Sequence, residues 1–133
     1  VAMEKNIAAA TDWTCKSLLK INRVRLLDRQ PLLYETIYLP LPQFKKLTHF
    51  KPSEFEELLY PMYVKECKVA VIRAKDQVGF ELMKKADAKA LNMKEGHPAV
   101  RVHRVAFDLM GKPVEYRSSV GDAMAFEYSA EVH

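Results

Sequence analysis

Three charged side chains stand on strand faces that are otherwise apolar. Arg23 and Arg25 share a face with Leu19 and Ile21, and Glu35 shares one with Leu33, Ile37 and Leu39. A buried charge is costly unless it is paired or holds something. Two guanidiniums against one carboxylate leave positive charge over, and the planar arginine fork suits phosphate or carboxylate. An Arg–Glu ion pair on a wet face is the plainer reading of the same residues.

Other groups could join such a site. Ser53-Glu54-Phe55-Glu56 has the spacing of a capping box and predicts a helix opening at Ser53. Free N–H groups and the positive end of the helix dipole would attract an anion there. Glu115 and Tyr116 form a polar pair on a later strand, able to bond ligand hydroxyls or to sit solvated at a sheet edge.

Much chemistry has no carrier. His49, His97, His103 and His133 are scattered without the spacing of a metal pair, so no metal site and no metal cofactor are expected. With 4 glycines the chain holds no phosphate-cradling glycine loop and no nucleophile elbow. Cys15 and Cys67 lack the context of a zinc site or a disulfide framework. No catalytic residue and no organic cofactor are indicated.

The elements that must position these groups follow from pattern. Residues 4–12 predict a short helix, and residues 16–27 and 32–39 predict two strands of a hairpin. A turn centred near residue 30 sets Arg25 opposite Glu35 and Arg23 near Ile37. Pro61 should limit or kink the helix that starts at Ser53. Residues 66–74 predict a strand, 78–91 a helix, 99–108 and 113–120 strands, and 124–132 a last strand. Two stretches resemble each other. Each has a strand with a central arginine (Arg23, Arg104), an Asp-containing turn, a proline (Pro31, Pro113) and a strand with Glu and Tyr. The implied architecture is one α+β domain of two helix–hairpin units.

Composition agrees. The 133 residues are 49% hydrophobic and 29% charged, which excludes disorder and suits one domain. Net charge is +4 with no basic run longer than two, so a solvated surface is the reading and direct nucleic-acid binding is not expected. No apolar stretch approaches the roughly 18 residues of a membrane span, and residues 1–20 lack the apolar core of a signal peptide. No membrane partner and a cytoplasmic location are therefore expected. The first residue, Val1, points to a processed start or to a piece of a longer protein.

Arg23-Val24-Arg25, Asp28, Pro31, Glu35 and Tyr38-Leu39-Pro40 resemble the R-x-R, D, P, E, Y-L-P signature of UTRA domains, the effector-binding domains of HutC-type regulators in the GntR family. Ala90-Leu91, Gly96, Pro98, Val102, Arg104, Asp108, Gly111 and Pro113-Val114-Glu115-Tyr116 are similar to the second signature, and the likeness spans roughly residues 8–128. The resemblance implies a chorismate-lyase-like α+β fold with a largely antiparallel sheet flanked by helices. It implies a single ligand-binding domain over 1–133, a small anionic effector with a sugar phosphate favoured, a homodimer, and operator DNA bound only through a winged helix-turn-helix upstream. By the same likeness Arg23, Arg25 and Ser53 would hold a phosphate, and Glu35 and Glu115 would contact a sugar. Gly121 stands where many relatives have an aromatic, and the family's opening strand is expected upstream of Met3. An enzyme of the chorismate-lyase type, taking an aromatic carboxylate, is the alternative on this fold. A protein-interaction domain without a ligand is a third reading.

Overall fold

Two hairpins, each preceded by a short helix, lie side by side and share one sheet. The computed structural model describes residues 1–127 and 129–131. Helix α1 (Lys5–Thr11) leads into β1 (Leu18–Leu27) and β2 (Gln30–Pro40). Two 3-10 turns (Lys45–His49, Pro52–Glu54), α2 (Leu59–Cys67) and β3 (Arg73–Leu82) follow. Helix α3 (Lys85–Leu91) then leads into β4 (Pro98–Phe107) and β5 (Pro113–Asp122), and a 3-10 turn covers Ala123–Ala125. The sheet order is β1-β2-β5-β4-β3, antiparallel throughout. The expected α+β class and the two helix–hairpin units are both present. The units join where β2 pairs β5, with Glu35 opposite Ser119 and Ile37 opposite Arg117.

Alternation gives the sheet two different faces. On one, α1 and α3 pack: Ile7 meets Leu18 and Tyr116, and Ala88 and Leu91 meet Ala99 and Val120. On the other, α2 and the first 3-10 turn bury Leu59, Met62, Tyr63, Phe44 and Leu47 against Ile37 and Leu39. This second face also carries Arg23, Arg25, Glu35, Glu115 and Arg117.

Several expected elements are corrected. The helix does not open at Ser53. Glu54 accepts the Lys51 N–H at 2.8 Å, closing one 3-10 turn, and Phe55 is already extended. Helix α2 starts at Leu59, so Pro61 lies in its first turn, where a missing N–H costs nothing, and starts the helix rather than limiting it. The predicted strand at 66–74 and helix at 78–91 give way to the end of α2, with Lys68 left-handed at its C-cap, then β3 and the shorter α3. Among the described residues of 124–132 there is no strand; Tyr128 and Val132 of that segment lie outside them.

The first hairpin turns at Asp28-Arg29, both at positive φ (51° and 66°), a two-residue turn of the I′ kind. With an irregularity between Arg25 and Leu26, the register places Arg23 opposite Glu35 and Arg25 opposite Leu33, one pleat from the expected pairing. The face assignment survives because the slip is an even number of residues. At the start of the chain Ala2 bridges Ser17, so residues 1–3 run beside the entry to β1.

Candidate functional site

The carboxylate of Glu35 gathers charge from both hairpins. Arg23 Nε donates to its Oε1 at 3.0 Å, and Arg117 Nη1 and Ser119 Oγ donate to its Oε2 at 3.1 Å each. Arg25 Nη1 stands 3.7 Å from Oε1. Burial alone would raise this carboxyl, but Arg117 and Arg23 outweigh it and hold Glu35 below its ordinary range. Glu115 is fully buried on central strand β5, which removes the expected edge setting. Its two oxygens accept from Arg117 Nε and Nη2 at 2.9 Å each, from Tyr63 at 2.5 Å and from Tyr60 at 3.3 Å. Burial and then Glu115 push the Tyr60 and Tyr63 hydroxyls up, so both remain donors at neutral pH.

A fourth arginine closes the ring. Arg104 binds Asp76 with Nε and Nη2, at 2.7 and 2.9 Å, and reaches Tyr60 Oη at 3.3 Å. Its hydrogen bonds lower Asp76, so the pair stays ionised. Arg23, Arg25, Arg104 and Arg117 thus converge with Leu58, Leu59, Tyr60 and Pro61 around a cleft of about 340 Å³. Four guanidiniums face three carboxylates (Glu35, Glu115, Asp76) that are held by protein partners. The start of α2 opens on the same cleft with no side-chain cap, so its free N–H groups add to the positive field.

Of the expected site residues, Arg23, Arg25 and Glu35 come together here. Glu115 lies beneath them, its oxygens already taken. Ser53 is exposed in its 3-10 turn and does not line the cleft; the helix start that does is Leu59 and Tyr60. Tyr116 points to the opposite face, beside Tyr38 and His103. Arg104 and Arg117 were missed as site residues. The internal repeat already marked Arg104 as the counterpart of Arg23, and alternation from Glu115 marks Arg117. Among the described residues no cluster of His, Cys, Asp and Glu is placed to hold a metal ion.

Fold and site together define an α+β domain of chorismate-lyase-like build, with an arginine-lined cleft on the join of two hairpins. The sequence model of the UTRA domain matches residues 1–127, so the chain belongs to the UTRA domain family. No curated protein matches it by sequence. Solved structures share the fold. A ligand-binding domain assigned to the GntR family of transcriptional regulators, from Bordetella bronchiseptica, superposes with a TM-score of 0.89 at 20% identity, covering 100% of this chain and 83% of that one. The C-terminal domain of YurK from Bacillus subtilis gives 0.87 at 17% identity, covering 97% and 88%. The effector domain of PhnF from Mycobacterium smegmatis gives 0.86 at 21% identity, covering 100% and 81%.

Proposed function

We propose that this chain is the effector-sensing domain of a GntR-type transcription regulator, binding a small anionic metabolite in the four-arginine cleft. The observation that carries this is the state of Arg25. Its guanidinium makes no hydrogen bond to any described residue, standing 3.7 Å from Glu35 and 3.7 Å from the exposed Glu57, with its side chain 29% exposed. All its donors are open to a ligand, Arg23 beside it keeps Nη2 open after bonding Glu35 and the Glu57 carbonyl, and both line the cleft. A sugar phosphate is the effector class the family resemblance favours; the geometry supports the anion. The domain would act in the cytoplasm, pair with a second copy, and change the placement of a DNA-binding domain upstream, a coupling between two sites. The rival reading of an enzyme on the same fold lacks support from the site, whose carboxylates are all committed to arginines and tyrosines.

Titration calorimetry with a panel of sugar phosphates, phosphonates and carboxylates tests the site. Arg25→Ala should weaken the binder it finds by roughly 10- to 150-fold, the worth of a charged hydrogen bond, while the melting temperature holds. Unchanged affinity would remove the effector from this cleft.

A further inference from the structure

The cleft does not end at the arginines. Arg23, Arg25 and Leu59 also line a second, larger cavity of about 640 Å³ along the outer edge of β1. More of its lining is apolar than polar: Leu19, Ile21, Leu47, Phe50 and Phe55 join Leu59, and besides the two arginines the polar members are Thr48, Glu56, Glu57 and, from the other pleat of β1, Lys20 and Asn22. The volume lies in the range of roughly 300–1,000 Å³ that holds small molecules. Phe50 and Phe55 meet edge to face at 6.2 Å, so the segment between the two 3-10 turns and α2 forms an aromatic wall facing β1.

The groups that would read the hydroxyls of a sugar are already used. Glu35 takes Arg23, Arg117 and Ser119, and Glu115 takes Arg117, Tyr60 and Tyr63 at zero exposure. No buried side-chain polar atom among the described residues lacks a partner. A hydroxylated ring entering the larger cavity would lose its water bonds and find few replacements. An apolar chain or ring would gain from the same surface.

We propose that the effector is an amphiphile: one anionic head, carboxylate or phosphonate, on Arg25 and Arg23, and an apolar body in the cavity along β1. This rests on reading the cleft as the effector site. The carboxylates near the head are Glu35 and Glu57, each 3.7 Å from Arg25, with Glu56 further along the wall. Glu35 is tied down, but Glu57 is 82% exposed and competes with the ligand for Arg25.

Calorimetry with butanoate, hexanoate and octanoate, the matching alkylphosphonates, glucose 6-phosphate and inorganic phosphate separates the cases. Affinity should rise about fourfold per buried methylene along an alkyl series. The two series identify the preferred head. Arg25→Gln should weaken every member at least tenfold, and Glu57→Gln should tighten every member. Phe55→Ser, with Phe50→Ser as a second variant at the same wall, should flatten the dependence on chain length. Glucose 6-phosphate binding through Arg25, with no gain along either alkyl series, would overturn the amphiphile and leave the effector cleft standing. A chain-length gain indifferent to Arg25→Gln would overturn the placement of the head. No anion binding at all would overturn both readings.

Discussion

Arg117 is the residue on which the cleft depends. It spans Glu35 and Glu115, two carboxylates buried to 4% and 0% exposure, and lies 5.4 Å above the Tyr60 ring. Removing one partner of a buried ionic network leaves the others uncompensated, at about 3–5 kcal/mol. Arg117→Met should cost that much at neutral pH, read by urea unfolding. The sign with pH follows from Glu35. Its folded pKa lies below the ordinary 4.5, so in the native protein its contribution is present above 4.5 and is lost as pH falls through the folded value. In Arg117→Met the balance tips toward burial, which favours the protonated acid. The stability gap between variant and native protein should therefore narrow as pH drops toward about 4. A constant gap would mean that Arg117 acts by packing alone. Arg23, Arg25 and Glu35 were legible in the sequence because charges on an apolar alternation stand out. Arg104 and Arg117 were not. Arg104 also interrupts an apolar alternation, of Val100, Val102 and Ala106, but was marked only as a member of the repeat, and Arg117 sits in a polar run, Arg117-Ser118-Ser119, that reads as surface.

At the scale of elements, the hairpins were legible and the middle of the chain was not. β1 and β2 each keep one side more buried than the other, so their alternation survives into the sequence, while β4 and β5, covered on both faces over most of their length, are legible from their strand-forming residues and flanking turns. β3 is the sheet's outer strand, and nine of its ten positions are exposed, so packing imposes no such pattern on it. Its Val78, Phe80 and Leu82 do alternate with period two, but they run straight into the helix formers of α3 and read with them as one helix. The box at Ser53 failed because Phe55 is drawn to the aromatic wall instead of continuing a helix. The same exposure of β3 bears on assembly. Among the described residues no strand pairs the outer edge of β3, and an edge ten residues long, with Val78, Phe80 and Leu82 at 47%, 68% and 70% exposure, is the sort that pairs with another chain. For the homodimer proposed above, pairing of two copies along β3 is the expected form. Sedimentation velocity should show a dimer that Phe80→Lys converts to monomer without loss of secondary structure. A dimer that survives Phe80→Lys and Val78→Lys would have its interface elsewhere.

For the whole molecule the question is where the +4 charge resides. Five arginines are turned to carboxylates of the fold: Arg23 and Arg25 to Glu35, Arg101 to Glu81 and Asp87, Arg104 to Asp76, and Arg117 to Glu35 and Glu115. Four of these five line the cleft and come from both hairpins, where they outnumber the paired carboxylates Glu35, Glu115 and Asp76 by one in a concavity sized for a small anion. What remains for a flat polyanion is a scatter of lysines, in runs no longer than two. Nucleic-acid affinity built on such contacts is sequence-blind and falls steeply with salt. The chain by itself should therefore shift an operator fragment and a scrambled duplex equally at low salt, and neither at about 0.2 M. A salt-resistant shift that prefers one sequence would place base-reading groups in this domain. The expected result leaves no sequence reading to this domain and agrees with the proposed use of the cleft arginines for a small anion.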